Sequence, residues 1–202
     1  MTMRCGALAA LLLLAGCAGT PATYLDLAPV PGRAAIARPA IARSAVAHID
    51  APIAVARVQM PAKLDRLYLT RATGADVVAV APHTRWVAPL DGLTQHALAR
   101  DLASRLPRAM VVMPGDVMPP GGVRLVRVNV LRFMPVLGGA GGSRMVLDAD
   151  WAVMARHGGG ARESGRLRLT IPAGRSDAAQ AAAMSAALGE LADRIAARLA
   201  QG

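Results

Sequence analysis

Apolar and polar residues alternate along Arg144–Arg156: Met145, Leu147, Ala149, Trp151 and Val153 fall on one parity, Arg144, Asp148, Asp150 and Arg156 on the other. A period of two sends successive side chains to opposite faces of a strand, so this stretch predicts a sheet with one buried face. Arg162–Ile171 repeats the pattern, with Leu167, Leu169 and Ile171 inward and Arg166, Arg168 and Thr170 outward. A turn centred at Gly159 joins the two as a hairpin. It sets Trp151 opposite Leu167 and Asp150 opposite Arg168, so apolar and charged pairs match in one register. A further long strand is expected over Val123–Met134, and shorter ones over Ile53–Val58, Leu67–Thr70, Val77–Val80 and Met110–Met113.

Two stretches change period. From Leu90 to Leu106 the apolar residues Leu90, Leu93, Ala97, Leu98, Leu102 and Leu106 recur at helical spacing, while Asp91, Gln95, Arg100, Asp101 and Arg105 lie elsewhere on the wheel. Pro89 stands at the first turn, where a missing N–H costs nothing, and Pro107 stops the helix. A second helix runs from Ser176, a residue type suited to cap it, to Leu199. Met184, Leu188, Leu191, Ile195 and Leu199 line one side; Glu190, Asp193, Arg194 and Arg198 face away. Strands grouped around two amphipathic helices imply an α+β fold, a mainly antiparallel sheet with both helices packed on one face.

The first residues follow neither period. Arg4 gives a short positive start, Ala7 to Ala15 is an apolar run, and Leu14, Ala15 and Gly16 precede Cys17. Crossing the hydrocarbon of a bilayer takes roughly 20 apolar residues, so the run is too short to span and suits a secretory signal. Leu14-Ala15-Gly16-Cys17 resembles the bacterial lipobox. That implies cleavage between Gly16 and Cys17, diacylglycerol on the Cys17 sulfur and acylation of the new amino terminus. Several acyl chains make a durable anchor where one does not. Ala18, standing where an aspartate would signal retention, resembles the pattern of lipoproteins sent to the outer membrane. Residues 1–16 thus read as signal peptide, 17–51 as anchor and an Ala/Pro/Arg-rich linker that lets the domain stand away from the bilayer, and 52–202 as the folded domain. Tyr24–Leu27 pairs at most briefly as a strand.

Composition limits the chemistry. Cys5 leaves with the signal and Cys17 is alkylated, so the 2 cysteines leave no disulfide within a chain, no thiol catalysis and no cysteine-based metal site. The net charge is +10, but Lys63 is the only lysine, and the arginines are dispersed without interleaved aromatics. Codon bias toward Ala, Arg and Gly accounts for this balance, and no nucleic-acid-binding signature accompanies it. Hydrophobic residues make up 54% and aromatics 2%, so the core must come from Leu, Val, Ile and Met.

No catalytic constellation emerges. His157-Gly158-Gly159-Gly160 has the form of an oxyanion-hole string, yet no serine elbow accompanies it and it falls where the hairpin needs a turn. The glycines around 138–142 link strand to strand, not strand to a phosphate-binding helix. His48, His83, His96 and His157 lack ligand spacing, so no metal or cofactor is expected. Asp148 and Asp150 share a strand face, but cross-strand arginines account for them better than a two-carboxylate site.

Several phrases in order resemble a known family. Tyr24-Leu25-Asp26-Leu27 follows the anchor; then come Val58-Gln59-Met60-Pro61-Ala62-Lys63-Leu64-Asp65-Arg66, the Arg85-Trp86-Val87-Ala88-Pro89-Leu90 phrase that opens the first helix, Leu106-Pro107 that ends it, and Val126–Phe133. This order is similar to that of the ABC-type transport auxiliary lipoproteins, among them the lipoprotein of the paraquat-inducible envelope system. The resemblance implies a non-enzymatic component of an envelope transporter. An inner-membrane permease and its ATPase would work with an MCE-domain periplasmic protein that carries lipid, and the lipoprotein would dock the assembly at the outer membrane. It also implies that Arg85, Trp86 and Pro89 shape the entry to the first helix. Oligomeric state stays open. A regulator of cell-wall synthesis or outer-membrane assembly is the alternative reading, and an envelope hydrolase a remote one.

Overall fold

A computed structural model describes residues 21–32, 51–74, 76–138, 142–155 and 160–201. The lipobox with Cys17, most of the expected linker, His48, His157 and Gly159 lie outside them. Among the described residues eight strands form one sheet: β1 (Thr23–Leu25), β2 (Ile53–Val55), β3 (Tyr68–Ala72), β4 (Val78–Trp86), β5 (Val111–Val112), β6 (Arg124–Val136), β7 (Ser143–Met154) and β8 (Ala161–Ala173). Among the same residues two helices accompany it, α1 (Leu90–Arg105) and α2 (Asp177–Leu199). The fold is α+β, as the two periods predict.

The long strands β6, β7 and β8 pair antiparallel, as does β3 with β4. The short strands add parallel pairs, β1 with β4, β2 with β5 and with β6, and β3 with β6, so the sheet is mixed where a mainly antiparallel one was expected. The reason is physical. Strands of a few residues show too little alternation to reveal their neighbours, and a crossover such as the one through α1 brings parallel partners together.

The inner faces of β6 and β7 supply Val126, Val128, Val130, Phe133, Met145, Leu147 and Ala149, all buried. Against them lie Leu98 and Leu102 of α1 and Met184, Leu188, Leu191 and Ile195 of α2. Burying one such side chain contributes about 1.5–3 kcal/mol, so this layer is the main source of stability. The helix starts as its sequence indicates: Ser176 accepts a hydrogen bond from the Ala179 N–H at 3.2 Å. Pro89 sits one residue ahead of α1 as its cap, with its carbonyl accepting from Leu93 N–H at 3.1 Å. Polar ties join α2 to the sheet. Arg71 donates to Asp177 and, at 2.6 Å, to Gln180, while the Thr84 hydroxyl donates to Asp177. The Asp177 carboxylate stands in the first turn of α2, where the helix dipole favours negative charge.

The hairpin forms, but two residues out of the expected register. Trp151 faces Gly165, Asp150 faces Arg166 and Asp148 faces Arg168. A shift of two keeps every side chain on its expected face, so the alternation could not distinguish the registers. Packing does: a Cβ on Gly165 would stand 2.8 Å from Cζ2 of Trp151, so the indole occupies the room the glycine leaves. On the outer face Arg166 grips Asp148 with two hydrogen bonds of 2.9 Å, and Arg168 approaches the same carboxylate at 3.3 Å.

The other departure lies in β4. The pattern predicts a strand ending at Val80, whereas it continues to Trp86. Tyr68 pairs with Arg85 and Thr70 with Val80, so two steps along β3 match five along β4. The bulge absorbs Pro82 and switches parity, which hides the second half from a period-two reading.

The segment 21–32 joins the fold ahead of the expected domain start at 52. β1 pairs with β4, Leu25 and Leu27 are buried, and Val30 is held at the α1–α2 seam. There Asp101 Oδ1 accepts from Val30 N–H at 2.6 Å, and Arg105 donates to the Val30 carbonyl at 2.8 Å. Arg105 also donates to Asp193 at 2.7 Å and to the Gly189 carbonyl at 2.9 Å. The side chains of Asp101 and Arg105, expected on the polar side of the helix, are buried, and beyond each other they find partners in segments distant in sequence.

Candidate functional site

After β2 the chain follows the edge of β6. Ala56 N–H donates to Val126 O at 2.9 Å, Gln59 N–H to Val128 O at 3.0 Å, and Val130 N–H to Gln59 O at 2.7 Å. It then turns at Pro61, whose carbonyl accepts from Leu64 N–H at 2.8 Å. Leu64 plugs into the core, while Asp65 and Arg66 stay exposed. Trp86 N–H donates to Leu67 O at 2.7 Å, which ties the Leu64-Asp65-Arg66 turn to the end of β4 and the start of α1. Trp86 and Leu90 are core side chains; Pro89 is exposed at the cap. Arg85 points outward, its guanidinium 4.9 Å from the centre of the Tyr68 ring.

The turn opens onto a groove on the sheet face opposite the helices. A cavity of about 530 Å³ lies between the Ala56–Gln59 segment and β7, lined by Arg57, Gln59, Arg127, Asn129 and Asp150 among others. A second, of about 310 Å³, continues it past Arg57 and Gln59 to Asp65 and Asp91. Arg57 stands at the junction and donates to Asp91 Oδ2 at 2.5 Å. That hydrogen bond, and then the charge of Asp91, holds the Arg57 guanidinium above its ordinary pKa. Mixed charge, amide side chains and an open mouth suit a polypeptide segment better than a small substrate needing enclosure.

Of the residues expected to matter, the structure gathers Leu64, Asp65, Arg66, Trp86, Pro89 and Leu90 around this corner, with Leu64, Trp86 and Leu90 turned into the core; Arg85 lies on the outer face, beside Tyr68. Arg57, Gln59, Asn129 and Asp91 were not legible as site residues. Gln59 and Asn129 lie within phrases that carry the resemblance, and the polar parity of Arg57 and Gln59 about Val58 was a second signal. Ser104, Ser176 and Ser185 hydroxyls are each engaged with nearby backbone. Among the described residues, no three of His, Cys, Asp and Glu cluster as metal ligands. No described helix is long and apolar enough to cross a membrane.

The family model described as the ABC-type transport auxiliary lipoprotein component matches residues 35–196. The chain belongs to that family. Two solved structures share the fold of this auxiliary lipoprotein. One is an uncharacterized protein, 16% identical, with a TM-score of 0.67 over 89% of this chain and 99% of that one. The other is a Xanthomonas campestris protein assigned to DUF330, 14% identical, with a TM-score of 0.64 over 86% of this chain and 92% of that one. No curated protein matches the sequence. Membership makes the chain an auxiliary component of an ABC-type transport system, in a family not known as one of enzymes.

Proposed function

We propose that this auxiliary lipoprotein is cut after Gly16, lipidated on Cys17 and held at the periplasmic face of the outer membrane. There it docks the MCE-domain periplasmic protein of an ABC-type lipid transporter without catalysing a reaction. The family match over residues 35–196 carries this reading. The lipobox Leu14-Ala15-Gly16-Cys17 and Ala18 support the anchor and its destination. The groove from Asp65 through Arg57 to Asp150 supports docking, because it offers paired charges and amides along an open channel beside a sheet.

The test is capture of the full-length lipoprotein from detergent-solubilised envelopes, with mass spectrometry of the companions and of the mature amino terminus. Recovery of an MCE-domain protein with its permease is expected. Recovery of cell-wall synthases or outer-membrane assembly factors in their place would overturn the transport reading.

A further inference from the structure

The chain has 2 tyrosines, and the structure sets both beside one arginine. Tyr24 on β1 and Tyr68 on β3 are each the cross-strand partner of Arg85 on β4, so the three side chains form one row on the outer face. Tyr24 is 61% exposed. On the same face Val78 and Val80 pair with Ala72 and Thr70, and Val80 is 46% exposed. Leu67 and Val87, also exposed, flank the row in sequence.

This face contrasts with the rest of the sheet. The outer positions of β7 and β8 carry Asp148, Asp150, Arg166 and Arg168, as a surface meeting water should. The outer positions of β1, β3 and β4 carry tyrosine, valine and a stacked arginine beside Thr70 and Ala72, with His83 exposed at the bulge. That is the residue set of a membrane interface: tyrosine rings settle at headgroup level, arginine pairs with phosphate, and small apolar side chains reach the acyl boundary.

Chain length says what covers it. β1 begins six residues after Cys17, and six extended residues reach at most about 20 Å. The long Ala/Pro/Arg-rich stretch follows β1 and lies between two parts of the domain, so it adds nothing to the distance from the anchor. β1 runs parallel to β4 with Thr23 beside Thr84, so the chain arrives from the half of β4 that bears Val78 and Val80. Lipid on Cys17 would therefore be tied within that reach of the end of β1 that lies toward Val78 and Val80.

We propose that the face formed by Tyr24, Tyr68, Arg85, Val78 and Val80 rests on a phospholipid surface, fixing the orientation of the domain on its membrane. Of the net charge of +10, only the +1 of Arg4 leaves with residues 1–16, and the remaining +9 adds attraction to anionic headgroups. This inference rests on lipidation of Cys17.

The mature chain has no other cysteine, so an introduced one is a unique labelling site. Full-length lipoprotein carrying Val80→Cys, or Val117→Cys in the loop before β6 where Val117 is 93% exposed, would be labelled with an environment-sensitive fluorophore. Each would be bound to vesicles of equal parts phosphatidylethanolamine and phosphatidylglycerol. Position 80 is expected to lose quenching by aqueous iodide and gain quenching by brominated lipid, with position 117 unchanged. Equal iodide access at both positions on vesicle-bound protein overturns the proposal and leaves the anchor intact. Protection of position 80 that needs added envelope proteins also overturns it and makes the face a protein interface. Protein left in the supernatant, with no diacylglycerol on the Cys17 peptide, overturns both readings together.

Discussion

Arg105 holds Val30 by its backbone. The guanidinium donates to the Val30 carbonyl at 2.8 Å while also donating to Asp193 and to the Gly189 carbonyl, and its side chain is almost wholly buried. One residue of α1 thereby joins α2 to the segment that follows β1. Close packing seals the joint: a Cβ on Gly189 would stand 3.0 Å from Val30 Cβ, and one on Gly32 would stand 2.6 Å from Arg105 Cγ.

Removing that cation leaves Asp101 and Asp193 without it. Arg105→Ala is expected to cost roughly 3 kcal/mol or more, because a buried charge loses its partner. In a domain of this size that lowers the melting temperature by about 6 °C or more. Arg105→Lys recovers only part of the loss, since an ammonium cannot serve the same fork of acceptors. Thermal unfolding checks the size, and limited proteolysis within residues 21–32 checks the place. A melting temperature within a degree of wild type for Arg105→Ala would remove the clamp from the account.

The same corner has a pH signature. Burial, opposed by the Val30 hydrogen bond and by Arg105, pushes the Asp101 carboxyl up to about 6 from 3.8. Its Oδ2 has no hydrogen-bond partner among the described residues. A raised carboxyl pKa means that the folded state keeps a proton the unfolded chain has lost. Between about pH 4 and pH 6 this group therefore makes stability fall as pH rises. Asp101→Asn keeps an acceptor for Val30 N–H and abolishes that titration. The melting temperature of Asp101→Asn relative to wild type is expected to climb across this window and level off above it. A difference independent of pH would show that Asp101 ionises normally.

On the outer face the sign reverses and the size shrinks. Two hydrogen bonds from Arg166, more than the nearby charges, hold the Asp148 carboxyl below its ordinary value. The stability from this group is present above the unfolded pKa and is lost as pH falls through the folded one. Arg166 is substantially exposed, so Asp148→Asn is expected to cost about 1 kcal/mol or less, and less still in high salt. Denaturant titrations at two salt concentrations check both statements. A cost that does not fall with salt would mean the pair acts through packing.

Gly165→Ala tests the hairpin register directly. The added methyl meets the Trp151 ring at 2.8 Å, and moving a buried indole costs about 1–3 kcal/mol. Gly160→Ala, whose new methyl would meet open space, should change stability by about 0.5 kcal/mol or less. Tryptophan fluorescence and melting temperature together separate the two variants. Equal behaviour would favour the other register, in which Leu167 faces Trp151.

These tests fall largely where the sequence was silent. The periods of Leu90–Leu106 and Ser176–Leu199 define both helices, and the alternation of Met145–Val153 assigns every side chain to its face. Alternation cannot count registers, however, and only the vacancy at Gly165 sets the match with Trp151. Helical spacing likewise marks Asp101 and Arg105 as polar but cannot supply Val30 or Gly189 as partners, so burial of that pair was invisible. The bulge that absorbs Pro82 hid half of β4. With it went the row that sets Tyr24 and Tyr68 about Arg85. The phrase Leu64-Asp65-Arg66 pointed to the right corner by resemblance, whereas Arg57 and Asp91 gain meaning only when β2 and α1 meet.

That corner yields the last prediction. Asp65 is exposed and lines the groove beside Arg57, so reversing its charge should leave the fold within about 0.5 kcal/mol of wild type. Asp65→Arg sets a second cation next to Arg57 and inverts the local charge a partner would meet. Electrostatic mismatch of this kind slows encounter and weakens the complex, more so at low salt. Capture of the MCE-domain protein is therefore expected to fall for Asp65→Arg with the melting temperature unchanged. Thr170→Arg, on the far strand of the same sheet, should capture as wild type does. Undiminished capture by Asp65→Arg would move the docking surface away from this groove, and the turn at Leu64 would then be a matter of packing alone.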